Sequence, residues 1–298
     1  MASRLFILGC LCIQFQLSYS QLPQVYSGKL IRYPNFKSLH VEARNIDVWI
    51  PLPDALHDSV NVLYMHDGQM LFDSNTTWNK QEWEVDETIT KLLTENKIRN
   101  CIVVGIWNTP RRRQEYFPEA VFNHIKMPLK DSISKDIGGH PFSDDYLTFI
   151  VNELKPFIDS VFHIPANNKN TFIGGASMGG LISFYAMCKY PQIFKGAICM
   201  STHWPGSVKR NDRDVPVTFA WYAKNHLPSP KSHTFYFDYG TATLDAWYEQ
   251  GQQLIDATMR NAGYTDQNWI TRKYEGANHS ENAWKQRLHI PLTFLLSK

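Results

Sequence analysis

The 298-residue sequence has little charge imbalance, few cysteines and, beyond its first twenty residues, no long apolar run. Its 30 basic and 28 acidic residues leave a net charge of +2, too small and too evenly spread to suggest a nucleic-acid partner. A membrane-spanning helix needs about 20 apolar residues, so no span is expected. The sequence also lacks repeats, low-complexity tracts and linkers, which favours a single domain over residues 21–298.

Only five cysteines are present, and two of them belong to the N-terminal segment described next. The other three, Cys101, Cys188 and Cys199, lie in apolar segments and are odd in number, so they do not form a disulfide framework. We expect buried free thiols, with one bridge as the alternative.

The first twenty residues differ from the rest of the chain. Arg4 is their only charged residue, residues 5–13 are apolar, and Ser18-Tyr19-Ser20 places small residues three and one positions before Gln21. This order is typical of a secretory signal peptide. We therefore expect export to the periplasm or the extracellular space after cleavage near Gln21.

Strand-like and helix-like segments alternate along the remaining chain. Strands are predicted at residues 29–33, 46–50, 60–65, 101–107, 171–174, 196–200, 234–238 and 269–274. The interior ones are continuous apolar runs, as expected for parallel strands that are covered on both faces. Only a loop separates the first two, which predicts an antiparallel hairpin, whereas helices between the later strands predict parallel, right-handed crossovers. The pattern indicates an α/β fold with a mostly parallel central sheet flanked by helices.

Helical periodicity is clearest in three places. Apolar residues recur at the helical period over residues 146–161, behind Ser143 as a candidate N-cap, and again over residues 181–188. The period returns over residues 284–295, where Pro291 must kink or restart the helix.

The segment Gly175-Ala176-Ser177-Met178-Gly179 matches the pattern G-x-S-x-G. In this pattern the serine occupies a sharp strand-to-helix turn that exposes its hydroxyl, and the small neighbours let strand and helix approach. A strand precedes this segment and an amphipathic helix follows it, which is the context that the pattern requires. Ser177 is therefore the predicted nucleophile, and an incidental serine in a glycine-rich turn is the alternative.

The base and the acid of a serine triad should follow near the ends of the last strands. His279 lies between the last strand and the final helix and is the candidate base. Asp245, in the loop after Gly240, and Asp238, still within the preceding strand, are the candidate acids. We favour Asp245, because a loop carboxylate can reach His279 and hold its imidazole in the correct tautomer. Asp238 is expected to serve the structure.

The oxyanion of an acyl-transfer intermediate needs two backbone N–H donors. Met178, directly after the nucleophile, is one candidate, and either Gly68 or Gln69, after the third strand, is the other.

Substrate contacts are expected from loops at the carboxyl ends of the strands. Arg111, Arg112 and Arg113 lie in residues 108–141, a stretch of weak periodicity that is typical of a lid or binding loop, and are candidates to receive an anionic group of a substrate. His203 and Trp204 follow the sixth strand. A solvated basic turn at Arg111 and a packed ring at Trp204 are the alternatives.

These segments resemble the esterase D-like family of the α/β-hydrolases, which includes siderophore, feruloyl and acetyl-xylan esterases. The resemblance extends from about residue 45 to the C-terminus and rests on His66-Asp67-Gly68-Gln69, the motif around Ser177, Asp238-Tyr239-Gly240-Thr241 and Gly276-Ala277-Asn278-His279. It implies an α/β-hydrolase fold and a serine carboxylic ester hydrolase that works through an acyl-enzyme, with no metal and no organic cofactor. The substrate would be a small-molecule or polysaccharide-linked ester. An acyltransferase and a catalytically inactive binding module on the same fold are the alternatives.

Overall fold

The computed structural model describes residues 21–51, 60–165 and 168–298, so the predicted signal segment lies outside the described residues. Its strands are β1 (Lys29–Phe36), β2 (Arg44–Ile50), β3 (Asn61–His66), β4 (Cys101–Ile106), β5 (Thr171–Ala176), β6 (Gly196–Met200), β7 (Thr234–Gly240) and β8 (Trp269–Tyr274). They form one sheet in the order β1-β2-β4-β3-β5-β6-β7-β8. β2 runs antiparallel to both of its neighbours, and the pairs from β4 through β8 are parallel. The predicted hairpin and the mostly parallel sheet are therefore confirmed.

Helices cover both faces of this sheet. They are α1 (Val85–Thr94), α2 (Arg112–Tyr116), α3 (Glu119–His124), α4 (Leu129–Ile137), α5 (Ser143–Thr148), α6 (Lys155–Val161), α7 (Met178–Lys189), α8 (Asp214–His226), α9 (Glu249–Asn261), α10 (Glu281–Lys285) and α11 (His289–Leu296). A π-helical segment, Phe149–Leu154, joins α5 to α6, and short 3₁₀ turns occur at Gly68–Met70, Asn168–Asn170 and Thr243–Trp247.

One predicted helix cap is wrong, and the predicted restart of the C-terminal helix is confirmed. Ser143 does not cap α5, because Phe142 occupies the N-cap position and the Ser143 hydroxyl instead accepts a hydrogen bond of 2.9 Å from the backbone N–H of Glu119. At the C-terminus the helix breaks after α10 and restarts at α11, with Pro291 in the first turn, where a proline costs no intrahelical hydrogen bond.

The two faces of the sheet bury separate hydrophobic clusters. Along β3, Val62 and Tyr64 pack into the cluster that contains α5, α7 and α8, whereas Leu63 and Met65 pack into the cluster that contains α1 and α11. This alternation follows from the two-residue period of a strand. The polar residues beyond the strand ends are thereby held at one edge of a rigid sheet.

The three cysteines of the described chain are free and buried, as predicted. Burial raises the pKa of the Cys101 thiol to about 12. Within the described residues, no helix combines the length and the apolar character that a membrane crossing requires.

Candidate active site

Ser177 occupies the turn between β5 and α7. Its backbone has φ 59° and ψ −123°, a strained combination for a residue with a side chain. The turn depends on close backbone contact, because a Cβ on Gly175 would lie 3.1 Å from the backbone of Gly179. The strand–turn–helix context expected around Ser177 is present.

His279 and Asp245 are joined by a short hydrogen bond. The distance from His279 Nδ1 to Asp245 Oδ1 is 2.5 Å. Because an ionised carboxylate can only accept, Nδ1 carries the proton and Nε2 is left with its lone pair free. The imidazole therefore has the tautomer that a general base requires.

Backbone contacts hold the loops after β7 and β8 together. The N–H groups of Thr241 and Ala242 donate to the carbonyl of Ala277 at 3.1 and 3.0 Å. In addition, the backbone N–H of His279 donates to the hydroxyl of Thr243 at 2.9 Å. These bonds set the position of the loop that carries Asp245 relative to His279.

The carboxylate of Asp245 is fully buried, and both of its oxygens accept hydrogen bonds. Oδ1 accepts from His279, whereas Oδ2 accepts from the Ser201 hydroxyl at 2.6 Å and from the Gly240 N–H at 2.7 Å. Burial disfavours ionisation of this carboxyl, but the interactions with His279, Ser201 and Gly240 outweigh burial and lower its pKa. Asp245 is therefore held as a carboxylate.

Ser201 links Asp245 to a second buried carboxylate. A hydroxyl has one proton and two lone pairs, and Trp284 Nε1 and Arg287 Nη2, which can only donate, reach the Ser201 oxygen at 2.9 and 3.0 Å. The Ser201 proton is thereby directed to Asp245. Arg287 also binds both oxygens of Asp238 at 3.0 Å. Asp238 is thus paired with Arg287, and Ser201 lies between it and Asp245.

Two cavities meet at Ser177. The larger has a volume of about 540 Å³ and the smaller about 230 Å³, and Ser177, His279 and Arg112 line both. Three tryptophans border the larger cavity: Trp78, Trp83 and Trp284. Helices α2 and α4 of the weakly periodic segment 108–141 supply part of the wall of the smaller cavity. This segment therefore borders the site, as a binding loop would.

The candidate oxyanion donors lie at helix starts. Met178 is the first residue of α7 and Gln69 the second residue of its 3₁₀ turn, so neither N–H has a partner within its own helix. Met178 lines the smaller cavity and Gln69 the larger one. Gly68 instead packs against β4, where a Cβ would lie 2.4 Å from the backbone of Gly105. Of the two alternatives after β3, Gln69 is the one at the cavity wall.

The structure does not bring Arg111 to the site. Its side chain is 47% exposed, lies 3.8 Å from Glu42 and covers the ring of Phe142. The neighbouring Arg112 lines both cavities instead and binds both oxygens of Asp67, at 2.6 and 2.7 Å. Successive helical residues point in directions about 100° apart, which separates the two arginines.

His203 and Trp204 have different environments. His203 lines the smaller cavity, and its Nδ1 shares a hydrogen bond of 2.8 Å with the hydroxyl of Tyr248. The same hydroxyl interacts with the side chain of Ser177. Burial lowers the pKa of His203 to about 3, so its ring is neutral. Trp204 is fully buried and donates from Nε1 to Gln252 at 2.9 Å. It is the packed ring of the alternative interpretation.

A comparison with protein-family models matches the chain, over residues 41–294, to the family described as "Putative esterase". The chain belongs to this esterase family.

Individual relatives of this chain are distant. It is similar to a siderophore enterobactin esterase of Emericella nidulans, with 27% identity over 49% of this chain and 47% of that protein. It is also similar to an acetyl esterase of Caldicellulosiruptor saccharolyticus, with 34% identity over 26% of this chain and 30% of that protein. The chain spans about half or less of the length of the curated relatives it matches.

A solved ferulic acid esterase resembles this chain in structure, with a TM-score of 0.62 and 18% identity over 91% of this chain and 99% of that chain. This likeness shows a shared fold, and the expected α/β-hydrolase fold is confirmed. In the described residues, no group of three or more His, Cys, Asp or Glu side chains is arranged to hold a metal ion.

Several residues of the candidate site are not among those predicted from the sequence. Ser201 and Tyr248 have hydroxyls next to the candidate triad, and Trp284 lines the larger cavity. The position of Ser201 directly after β6 was the one available signal, because residues at the carboxyl end of a parallel strand face the site.

Proposed function

We propose that the protein is a serine carboxylic ester hydrolase with Ser177 as nucleophile, His279 as base and Asp245 as acid. The observation that carries this proposal is the combination, at one cavity wall, of a strained serine turn and a histidine whose Nδ1 is bonded to a buried carboxylate. Membership of the esterase family supports it.

The proposed reaction passes through an acyl-enzyme. Nε2 of His279 takes the proton of Ser177 as Oγ attacks the ester carbonyl, and Asp245 stabilises the imidazolium that forms. The oxyanion accepts hydrogen bonds from the N–H of Met178 and from that of Gln69, which lines the larger cavity. Collapse of the intermediate transfers the proton from His279 to the leaving alcohol. Water then attacks the acyl-enzyme with His279 again as base, releasing the acid and Ser177.

Hydrolysis of an ester panel tests this proposal. The panel contains 4-nitrophenyl acetate, methyl ferulate, acetylated xylotriose and a catecholate ester, each with wild type and Ser177→Ala. We expect turnover of at least one ester by wild type and loss of that turnover in Ser177→Ala with an unchanged melting temperature. An acyltransferase would instead form a new ester when an alcohol is added. A folded wild type that hydrolyses none of the esters and transfers no acyl group would indicate the inactive binding module.

We also propose that the protein is exported after cleavage near Gln21. This proposal rests on the charge, apolar run and small residues of the first twenty positions alone.

A further inference from the structure

One buried hydroxyl beside the candidate nucleophile has no part in the reaction proposed above. Tyr248 is fully buried and directly follows the 3₁₀ turn that carries Asp245. Its hydroxyl lies within hydrogen-bonding reach of the Ser177 side chain and 2.8 Å from Nδ1 of His203. Burial raises the pKa of Tyr248 well above its ordinary value of 10, so the phenol keeps its proton during the reaction. The hydroxyl therefore always has a proton to donate.

Contacts with the candidate triad fix the positions of Tyr248 and His203. The backbone N–H of Tyr248 donates to the carbonyl of Asp245 at 2.9 Å. Its ring packs nearly perpendicular to the imidazole of His279, with the ring centroids 5.7 Å apart. His203 is held from the other side, because its backbone N–H donates to the carbonyl of Ser177 at 3.2 Å. The two side chains therefore have a fixed geometry relative to the nucleophile and the base.

The direction of each hydrogen bond at Tyr248 follows from counting protons. In the proposed reaction the Ser177 hydroxyl donates its one proton to Nε2 of His279, so Oγ can only accept from Tyr248. The proton of the phenol then points to Oγ, and the phenol oxygen must accept from His203. Burial lowers the pKa of His203 to about 3, so its ring is neutral and has a single N–H. That proton must be on Nδ1, because Nδ1 is the atom 2.8 Å from the phenol oxygen.

The opposite proton arrangement would be unproductive. If His203 carried its proton on Nε2, the lone pair of Nδ1 would accept the proton of the phenol. The phenol oxygen would then offer Ser177 only an acceptor, and the Ser177 proton would be drawn toward Tyr248 and away from His279. The tautomer of His203 therefore decides whether the nucleophile is directed to its base.

We propose that Tyr248 is a further catalytic residue, which donates a hydrogen bond to Oγ of Ser177, and that His203 is the positioning residue that orients this donor. Negative charge develops on Oγ twice: when His279 removes its proton during attack on the ester, and when Oγ leaves the acyl carbon during release of the acid. A donor that is already in place stabilises this charge in both transition states. This inference rests on the proposed function, since it adds a donor to the proposed nucleophile.

Removal of the hydroxyl with retention of the ring tests the catalytic role of Tyr248. We measure kcat, KM and melting temperature for wild type, Tyr248→Phe and Tyr264→Phe on 4-nitrophenyl acetate and ethyl acetate. Tyr264 is the matched control: its hydroxyl is also buried, donates to the carbonyl of Pro228 at 2.9 Å and lines neither cavity. Loss of one oxyanion donor typically lowers kcat by about 10²–10³, and Oγ carries less charge than the oxyanion. We therefore expect kcat and kcat/KM of Tyr248→Phe to fall at least about tenfold, and equally for both esters.

Three outcomes would overturn this role. Full turnover in Tyr248→Phe would remove the hydroxyl from catalysis. A loss confined to ethyl acetate, the ester with the poorer leaving group, would assign the donor to the leaving alcohol instead of Oγ. An equal loss in Tyr264→Phe would show that any missing buried hydroxyl has the same effect.

Two variants of His203 test its positioning role. The amide of asparagine can place an N–H near the position of Nδ1, whereas leucine has no donor. We expect His203→Leu to lower kcat about as much as Tyr248→Phe, at similar KM, and His203→Asn to recover most of that loss. Equal losses in both variants would show that His203 acts through packing alone.

The tautomer of His203 can be measured without any substrate, which separates this inference from the proposed function. In wild-type protein that contains nitrogen-15 histidine, proton–nitrogen correlation spectra of the imidazoles distinguish Nδ1–H from Nε2–H in each neutral ring. The signal that disappears in His203→Asn belongs to His203. We expect it to report Nδ1–H. A neutral His203 with its proton on Nε2 would overturn the inference even if esters are hydrolysed. Nδ1–H in a folded wild type that hydrolyses no ester would contradict the proposed function alone.

Discussion

Asp245 and Asp238 are two fully buried carboxylates in one hydrogen-bond network, joined through Ser201, yet their substitution by asparagine should have opposite effects. Asp245 contacts His279, whereas Asp238 contacts Arg287. The amide is almost the same size as the carboxylate, so each change removes charge and leaves the packing intact.

Asp245 accepts hydrogen bonds from three donors: His279, Ser201 and Gly240. In Asp245→Asn, the single amide oxygen can accept from only two of them. That oxygen can still accept from Ser201 and Gly240, which places the amide NH₂ against His279. The ring must then carry its proton on Nε2 and cannot act as base. In the best-studied serine triad this exchange lowers turnover about 10⁴-fold, and we expect a loss of at least about a hundredfold with KM little changed.

At Asp238 the asparagine leaves the Arg287 guanidinium without its anionic partner. The Arg287 side chain is only 4% exposed, so water cannot replace the lost charge. Removing one partner of a buried ion pair lowers the free energy of unfolding by about 3–5 kcal/mol. For a domain of this size, this loss lowers the melting temperature by roughly 6–15 °C. Catalysis by the remaining folded protein should fall much less than in the Asp245 variant.

The assay compares kcat, KM and thermal unfolding of the two variants on the best ester of the panel. The kinetics are measured well below the lower of the two melting temperatures, so that both proteins are folded. A larger loss of turnover in Asp238→Asn, with its melting temperature preserved, would reverse the roles given to these residues.

Three further predictions concern other parts of the molecule. Ser201→Ala should lower turnover about tenfold or more at unchanged KM, because Asp245 loses its hydroxyl donor; reduced stability with full turnover would show that Ser201 is purely structural. Burial and the adjacent Asp86 raise the pKa of Glu87 from 4.5 to about 7. The folded chain thus retains a proton that the unfolded chain loses between these values, and stability should fall as pH rises through this window. Glu87→Gln should therefore melt higher than wild type at pH 8 and equally at pH 4, and equal melting at both would contradict the shift. N-terminal sequencing of the exported protein should begin at or near Gln21, and mature protein that starts at Met1 would exclude cleavage.

The fold could be predicted because each strand has a recognisable pattern in the local sequence. The apolar run of β4 and the loop-connected pair β1 and β2 each indicate how the strand is covered and in which direction it pairs. The misassigned cap at Ser143 shows the limit of this reasoning. The Ser143 hydroxyl accepts a hydrogen bond from the backbone N–H of Glu119, on a different helix. The local sequence pattern does not predict such a tertiary contact.

The candidate site likewise contains residues that the local sequence predicts and residues that it does not. Ser177, His279 and Asp245 could be predicted as candidates because each follows a recognisable strand. The supporting residues could not, because Ser201 bonds to Asp245 across 44 positions and to Arg287 across 86 positions. Serine and arginine are also common residues, so only the folded chain distinguishes these two from others of their kind.

The identity of the nucleophile is the claim on which the account depends, and covalent labelling tests it most directly. Wild type and Ser177→Ala are treated with a fluorophosphonate, digested with trypsin and analysed by fragmentation mass spectrometry. We expect one adduct on wild type, located at Ser177 within the peptide of residues 170–189, and no adduct on Ser177→Ala. An adduct that persists in Ser177→Ala, or folded wild-type protein that stays unlabelled, would contradict the account.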